Sequence, residues 1–316
     1  MKIQEIARLA NVSTATVSRV FSHHPNVRQD VRDAVLSVAR KYNYRPRLSA
    51  KQKNVVLITP YKQIYPAPEF VEMVTSELIL KLSPAGFRIE ILPYDDLEHL
   101  SEISFCGAVG IGIDPPEDWD EWYGVPLVII DKIPAGKDRK SGVSFVHCNE
   151  EQGMFLAVEH LAQRGCRRIG ALIHGVCNQG NVEIRRQGVL NSLKQLGLPE
   201  SEKLVRVALS ETFFEEMGKL LKQNIDGVFC CGGSNIGGAA AYCLNLFNRR
   251  IPEDIKLVSS ERHRISGYCI PAQTTISPDY DGLAAAVVEQ LRLLLENPGN
   301  AAEISLPYNL IVRESS

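Results

Sequence analysis

Residues 11–20 have the sequence NVSTATVSRV and carry the clearest structural signal in this chain. Asn11 and Val12 interrupt the preceding helical pattern with a turn-prone residue and a single apolar side chain. Ser13 then stands where a helix N-cap belongs, because its hydroxyl can accept from backbone N–H groups of the next turn. The stretch predicts a tight turn followed by a helix from Ser13 to Ser22.

Apolar residues on both sides of this turn recur three or four positions apart, which is the spacing of one helix face. The three predicted apolar faces are Ile3, Ile6, Ala7 and Ala10; then Val17, Val20 and Phe21; and finally Val31, Ala34, Val35, Val38 and Tyr42. Two short helices joined by a tight turn, with a third helix that completes the core, form a helix-turn-helix head.

The head is basic and the rest of the chain is acidic. Residues 1–53 contain eleven Lys or Arg and three acidic residues, a formal charge of +8, whereas the remaining residues contain 24 basic and 34 acidic side chains, or −10. Helical surfaces are usually charged, so charge alone does not identify a partner. Small polar residues and one arginine also share the solvent side of the second helix, namely Thr14, Ala15, Ser18, Arg19 and Ser22. The combination indicates a nucleic-acid-binding head on a larger acidic body.

The pattern changes at Asn54, where the body begins. Val55–Ile58 is a continuous apolar run, typical of a strand that is buried on both faces. Further strand-like runs alternate with helical segments in two consecutive series, the second of which begins near Asn149. This alternation predicts βαβ units and a parallel sheet in each of two similar lobes.

Motifs along essentially the full chain resemble those of the lac repressor and galactose repressor (LacI/GalR-type) family of transcriptional regulators. They are Ile6–Ser13, Thr16–Val20, Pro25–Val27, Arg32 and Tyr44–Pro46 in the head, and Val158–Leu161, Gly165–Ile169, Ile251–Ile255, Thr274–Ile276 and Leu310–Ser315 in the body. The resemblance implies a lambda-repressor-like helix-turn-helix head and a periplasmic-binding-protein-like body of two doubly wound parallel-sheet lobes.

The resemblance also suggests domain boundaries. We expect a head and hinge at residues 1–53 and an effector-binding and dimerisation body at residues 54–316. In the family, the last helix returns to the first lobe and the final strand returns to the second. The expected lobes are therefore 54–148 with 277–297, and 149–274 with 303–316.

The helix from Ser13 to Ser22 is expected to lie in the major groove of operator DNA. Arg19 is the expected base-reading residue, because its guanidinium matches guanine O6 and N7 and such a pair discriminates between bases by ~1–3 kcal/mol. Ala15 offers a methyl group suited to the thymine methyl, and Ser22, Arg47 and Lys51 are expected on phosphates. The complete expected set is Ser13, Thr14, Ala15, Thr16, Ser18, Arg19, Ser22, Arg47, Lys51 and Lys53.

The hinge departs from the family at Lys53. The family carries a leucine seven residues after the proline, as a wedge for the minor groove, and counting from Pro46 places Lys53 at that position. A lysine does not unstack bases as an apolar wedge does, but it can contact phosphate or enter a narrow groove. DNA kinking is therefore in doubt for this chain.

Four body residues are expected at an effector site between the lobes. Arg185 matches the family's effector-contacting arginine, and a guanidinium suits hydroxyl pairs or a carboxylate. Glu261 stands where the family usually has an aspartate that accepts from ligand hydroxyls, and Phe70 is a candidate apolar wall. Gly233 stands at a strand end where the family commonly has an Asn or Asp ligand, so polar groups are lost there. The alternatives are an arginine on a polar helix face and an ordinary loop glutamate.

Other chemistry finds little support in the sequence. The glycine-rich segment 232–238 follows a predicted strand but lacks the Lys-Ser/Thr of a P-loop, and its serine misses the nucleophile-elbow spacing. The eight cysteines form no C-x-x-C pair and are expected to be buried, reduced thiols. We expect no catalytic constellation, metal or cofactor. With no membrane-spanning run and no signal peptide in the sequence, we expect a cytoplasmic protein.

These features predict a sequence-specific DNA-binding transcriptional regulator, a homodimeric repressor whose operator affinity is controlled by a sugar-like small molecule. The alternative is a ligand-binding protein of the periplasmic type whose head has lost DNA binding. The hinge at Lys53 favours this alternative slightly, and the intact recognition helix argues against it. Salt dependence separates the two, because phosphate contacts make affinity fall steeply as salt rises.

Overall fold

The computed structural model describes residues 2–21, 26–42, 44, 53–60, 70–103, 105–116, 119, 125–134, 142–177, 180–233, 235–261 and 264–316. The helices of this part of the chain are α1 (Ile3–Leu9), α2 (Thr14–Phe21), α3 (Gln29–Lys41), α4 (Phe70–Leu82), α5 (Glu150–Gln163), α6 (Gly180–Gln195), α7 (Phe213–Leu221), α8 (Ile236–Leu246) and α9 (Tyr280–Glu296). Its strands are β1 (Asn54–Thr59), β2 (Arg88–Pro93), β3 (Gly107–Ile111), β4 (Leu127–Ile130), β5 (Val143–Cys148), β6 (Ile169–His174), β7 (Val205–Ala208), β8 (Gly227–Cys231), β9 (Lys256–Ser260), β10 (Thr274–Pro278), β11 (Glu303–Leu306) and β12 (Tyr308–Ile311).

The head contains the predicted turn and cap. The Ser13 hydroxyl accepts a hydrogen bond from the Thr16 amide at 3.0 Å and lies 2.9 Å from the Thr16 hydroxyl. Asn11 turns the chain with a φ of 52°, a left-handed conformation that asparagine tolerates well. These contacts confirm the helix-turn-helix prediction.

The three head helices share one small core. It consists of Ile6, Ala7, Val17, Val20, Val35 and Leu36. The predicted apolar face of α3 was partly wrong, because Ala34 and Tyr42 are exposed and Leu36 is buried instead. The buried face is therefore rotated relative to the predicted one, and Tyr44 supplies the aromatic group, with its ring centroid 5.8 Å from that of Phe21.

The chain divides into two compact units. The first comprises Met1–Ile64, Val74–His147 and Asp281–Ile304, and the second comprises Tyr65–Met73, Cys148–Tyr280 and Ser305–Ser316. The second unit keeps residues 277–280, which we expected in the first lobe, because Ser277 and Pro278 belong to β10 and pair with β12. Residues 303 and 304 lie in the first unit, because β11 joins the sheet of that unit.

The sheet of the first unit has the strand order β11-β5-β4-β3-β1-β2. Its strands β1 to β5 pair in parallel, and Val55–Ile58 are fully buried, as the continuous apolar run predicts. The strand β5 was not predicted, because Ser144 and His147 interrupt its apolar pattern. Both side chains are nevertheless buried: the Ser144 hydroxyl donates to Gln290 at 3.1 Å, and His147 Nε2 lies 3.2 Å from Glu303 Oε1.

The sheet of the second unit has the strand order β12-β10-β9-β8-β6-β7. Strands β6 to β10 run parallel, and β12 runs antiparallel to β10. The strand order changes direction at β6, because β7 lies on one side of it and β8 on the other. Ligands of open α/β sheets bind outside the carboxyl ends of the strands at such a switch point. The carboxyl ends of β6 and β8 are therefore the natural place for a ligand site in this unit.

Candidate DNA interface and effector site

The helix α2 presents one side to solvent and packs the other into the head core. Its buried residues are Val17 and Val20. Its exposed residues are the four that we expected nearest the base edges, Thr14, Ala15, Ser18 and Arg19. The helix-turn-helix fold and this exposed face together form a surface that can enter a major groove.

Other expected DNA-binding residues have different surroundings. The side chains of Ser13 and Thr16 are engaged with each other in the cap of α2. Ser22, Arg47 and Lys51 lie outside the described residues. The Lys53 carbonyl accepts from the Arg88 amide at 2.7 Å, and its ammonium lies close to Gly86 of the first unit. Lys53 thus lies directly before β1, and its backbone pairs with the first residue of β2. Its contact with DNA stays a prediction.

Arg185 projects from α6 into a buried ion pair. Its Nε and Nη2 atoms donate to the two carboxylate oxygens of Glu150, each at 2.9 Å. The Tyr308 hydroxyl donates to Glu150 Oε1 at 2.8 Å. Arg185 and Glu150 are each only 8% exposed, so the alternative of a solvated arginine on a polar helix face is wrong. The fork geometry is the strongest arrangement available to an Arg–carboxylate pair.

The neighbouring backbone positions Glu150 and Tyr308 for this pair. Glu150 opens α5, which Asn149 caps by accepting from the Gln152 amide at 3.0 Å. Gly153 lies against the ring of Tyr308, and a Cβ at that position would come within 2.6 Å of the ring. Only glycine permits this approach without a shift of the tyrosine.

Electrostatics favours the charged form of Arg185. Burial opposes the charge on Arg185, but the Glu150 carboxylate outweighs it and holds the pKa of Arg185 well above its ordinary value. A buried pair of this kind is costly to disrupt, because removal of one partner leaves an uncompensated charge.

Glu261 follows β9 and lies in a second buried ion pair. Its Oε2 atom accepts from Arg313 Nη1 at 2.8 Å and from the Thr275 hydroxyl at 2.7 Å. Its Oε1 atom is buried and has no hydrogen-bond partner among the residues that the structure describes. Glu261 is therefore not an ordinary loop glutamate, and it retains an unused acceptor.

Gly232 and Gly233 follow β8 with φ values of 82° and 65°. A Cβ on Gly232 would come within 2.7 Å of the His174 carbonyl oxygen, and one on Gly233 within 3.0 Å of the His174 ring. The glycine pair thus makes room for His174, which ends β6 and lies 3.2 Å from the Ser210 hydroxyl. His174 supplies a polar group at the strand ends where the glycines have none. A cavity of about 290 Å³ opens beside it, lined by His174, Ser210, Phe213, Phe214, Gly233, Ile236, Ala239, Tyr242 and Cys243.

Phe70 begins α4 and is buried. Its ring centroid lies 5.9 Å from that of Tyr280, whose hydroxyl lies 3.4 Å from the Glu261 carbonyl oxygen. The aromatic pair is thus adjacent to the chain segment that carries Glu261.

Sequence reasoning missed Glu150, Tyr308, Arg313 and His174. Glu150 is 35 residues from Arg185 and Tyr308 is 158 residues from Glu150, so no local pattern connects them. A glutamate in the first turn of a helix is common, and only the fold shows that this one faces an arginine.

The surroundings of the cysteines limit their reactivity. Six cysteines are buried, as expected, whereas Cys177 is exposed and Cys269 is half-buried. Burial raises the pKa of the Cys106 and Cys166 thiols to about 11, which keeps them protonated near neutral pH.

Across the described ranges, no cluster of His, Cys, Asp and Glu side chains is suited to a metal. No helix in the same ranges is long and apolar enough to span a membrane.

A helix-turn-helix head joined to two parallel-sheet units, one with buried polar groups at its strand ends, defines a DNA-binding protein with a ligand-binding body. Residues 2–47 match the profile described as bacterial regulatory proteins, lacI family, and residues 158–316 match the periplasmic binding protein-like domain. The chain belongs to the lacI family of bacterial regulatory proteins and is a transcriptional regulator.

Relatives and solved structures agree with this assignment. The chain is 28% identical to the HTH-type transcriptional regulator MalR of Clostridium butyricum, over 100% of this chain and 99% of that protein. It is 26% identical to the HTH-type transcriptional repressor PurR of Photorhabdus laumondii, over 99% and 96% of the two chains. The fold is similar to that of a transcriptional regulator CelR–cellobiose complex, with a TM-score of 0.70, 24% identity and full coverage of both chains. It is also similar to a lac repressor dimer bound to operator, with a TM-score of 0.66, 20% identity and coverage of 100% and 98%.

Proposed function

We propose that this regulator is a homodimeric repressor that reads a palindromic operator through α2 and changes its operator affinity when a small molecule binds its body. The observation that carries the DNA-reading part is the division of α2 into a buried apolar side and an exposed side bearing Thr14, Ala15, Ser18 and Arg19. Relatives with matching architecture along their whole length are named as transcriptional regulators and repressors.

Arg19 is the proposed base-reading residue. It lies in the last turn of α2 on the exposed side, and its guanidinium can donate two parallel hydrogen bonds to guanine. Ala15 provides only a methyl group, which fits beside a thymine methyl. Phosphate contacts from Ser22, Arg47 and Lys51 would fix the register of the head without reading sequence.

Exposed apolar side chains on both units support dimerisation. In the first unit Leu80 and Ile91 are 61% and 52% exposed, and in the second Tyr268 and Ile270 are 85% and 98% exposed. Where such side chains form one contiguous apolar patch, another protein commonly covers it. A two-fold dimer would present two heads to two half-sites, as a palindromic operator requires.

The proposed effector site lies at the carboxyl ends of the strands in the second unit. Arg185 provides a hydrogen-bond donor there, and Glu261 provides a buried acceptor that has no partner among the described residues. Gly233 and Phe70 line the site as a small and an apolar residue. The effector acts only if it binds one arrangement of the protein better than the other. A CelR structure with cellobiose is among the similar folds, and we take a sugar-like molecule as the effector class for this chain.

The experiment that tests DNA reading is Arg19→Ala, with fluorescence anisotropy on the preferred operator and on scrambled DNA of the same composition. We expect a loss of roughly tenfold or more on the operator and a much smaller loss on scrambled DNA, because a bidentate base contact contributes ~1–3 kcal/mol. Arg249→Ala, an exposed arginine of the second unit, is the control and should leave both affinities unchanged. Equal losses on both DNAs would assign Arg19 to phosphate instead.

A further inference from the structure

The effector arginine of this chain already holds a carboxylate. Two of its three guanidinium nitrogens, Nε and Nη2, donate to Glu150 at 2.9 Å each. This is the edge of the guanidinium that would bind a ligand carboxylate, sulfate or phosphate in the same geometry. Glu150 therefore occupies one of the two bidentate donor edges of Arg185 with a side chain of the protein itself, and it compensates the charge of the arginine.

The third nitrogen, Nη1, remains for a ligand. It makes no hydrogen bond to the described residues, and it is not among the fully enclosed polar atoms that lack a partner. Its two N–H groups, on a guanidinium whose charge Glu150 compensates, suit hydroxyl oxygens. An anion at this nitrogen would lie next to the negative charge of Glu150.

The second buried pair has the same character. Arg313 compensates the charge of Glu261, whose Oε1 atom is enclosed and has no hydrogen-bond partner among the described residues. A ligand does not reach an enclosed oxygen in this arrangement, but the negative charge of the carboxylate disfavours an anion nearby. Both pairs thus favour a ligand without net charge.

Resting on the proposed effector site, we propose that Glu150 is a specificity-determining residue. It restricts the effector of this regulator to uncharged, hydroxyl-bearing molecules, and it disfavours carboxylated and phosphorylated ones by compensating the charge of Arg185 and repelling an anion at Nη1. Tyr308 is a positioning residue, because its hydroxyl donates to Glu150.

The test is Glu150→Gln in the whole chain, titrated calorimetrically with sodium sulfate at an ionic strength held constant with sodium chloride. Glutamine nearly preserves the shape of glutamate but removes its charge, which opens Arg185 to an anion. We expect sulfate to bind E150Q at least tenfold more tightly than it binds the wild type. The basic head is identical in every variant, so any sulfate bound there is common to all titrations.

Three matched variants separate charge from disturbance of the fold. Glu151→Gln removes a carboxylate from the same turn of α5 at an exposed position, and it should bind sulfate as the wild type does. Tyr308→Phe disturbs the Arg185 pair without removing its charge, and it should also show no gain. The double variant E150Q with Arg185→Met should lose the gain.

Equal sulfate affinity of E150Q, E151Q and the wild type, with an unchanged circular dichroism spectrum, would overturn the proposal. A gain that persists in the double variant would also overturn it. A second measurement needs no variant: D-galactose and D-galacturonate, and D-glucose and D-glucuronate, are titrated into the wild type. Tighter binding of a hexose than of its uronate supports the proposal, and the reverse order contradicts it. DNA affinity is measured separately, so a failure of the regulator function would leave the sulfate result intact.

Discussion

The head and the proposed ligand-binding edge of the second unit place their arginines in opposite surroundings. Arg19 lies on the exposed side of a short helix, whereas Arg185 is buried against Glu150. The first arginine lies on a surface that a large, charged partner can reach, and the second lies inside the second unit. The comparison teaches that residue type alone does not define a role, because burial and the nearest carboxylate decide what each guanidinium can bind.

The largest expected effect comes from breaking the buried pair. Glu150→Ala leaves Arg185 charged and uncompensated, and we expect the body to lose about 3–5 kcal/mol of unfolding free energy. Glu216→Ala breaks a more exposed pair and should cost at most about 1 kcal/mol. Urea unfolding of both variants measures the difference. Similar losses would show that burial does not distinguish the two pairs.

A single shortened side chain in the head core should unfold the head. Ile6 is fully buried, and Ile6→Ala should cost the head about 2–5 kcal/mol through lost burial and a cavity. Because a domain of this size is only marginally stable, DNA binding should be lost. The unfolding free energy of the body should stay unchanged. Hydrogen exchange in α2, with anisotropy on operator DNA, measures both effects. Leu9→Ala, at a position 41% exposed, should retain DNA binding; if Ile6→Ala retains it as well, the proposed dependence on the head core is wrong.

A smaller effect is expected at the cap of α2. Ser13→Ala removes the acceptor for the Thr16 amide, which should cost about 1 kcal/mol. Ser37→Ala, at an exposed position inside α3, is the control and should change stability by less than about 0.5 kcal/mol. Thermal unfolding of the head, monitored by the hydrogen-exchange protection of its amides, compares the two variants. No difference between them would mean that the observed cap contributes nothing.

The smallest expected effect is a pH dependence in the second unit. Burial, with the nearby Arg164 charge, lowers the pKa of His160, so the folded protein disfavours the imidazolium more than the unfolded chain does. Stability should therefore fall as pH decreases from about 6.5, the unfolded value, through the folded pKa. His160→Gln should flatten this part of the stability profile, whereas His99→Gln, at an exposed position of the first unit, should not. An unchanged profile in His160→Gln would contradict the assignment.

The sequence predicted those features that depend on local spacing. The turn at Asn11, the cap at Ser13 and the strand at Val55–Ile58 follow from short-range rules, and each is confirmed. The strand β5 was missed because Ser144 and His147 look like surface residues, and their partners lie far away on α9 and β11.

The chemistry of the proposed effector site was less accessible from the sequence. The family resemblance singled out Arg185 and Glu261, but their ion-pair partners could not be inferred, since Glu150 and Arg313 are brought near them only by tertiary packing. Gly233 looked like a loss of polar groups, whereas the structure shows that it makes room for His174. A family resemblance thus identifies candidate site residues, but only the fold identifies the ion-pair partners that compensate their charge.

The most direct test of the account is the binding of the whole wild-type chain to duplex fragments from the DNA that flanks its own gene. Anisotropy is measured at salt concentrations from about 50 to about 200 mM, a range over which phosphate contacts weaken strongly. The measurement gives both selectivity and salt dependence. We predict that one fragment binds roughly 10³-fold or more tightly than scrambled DNA, with an affinity that falls steeply as salt rises. Equal or undetectable binding of all fragments at the lowest salt would contradict the account.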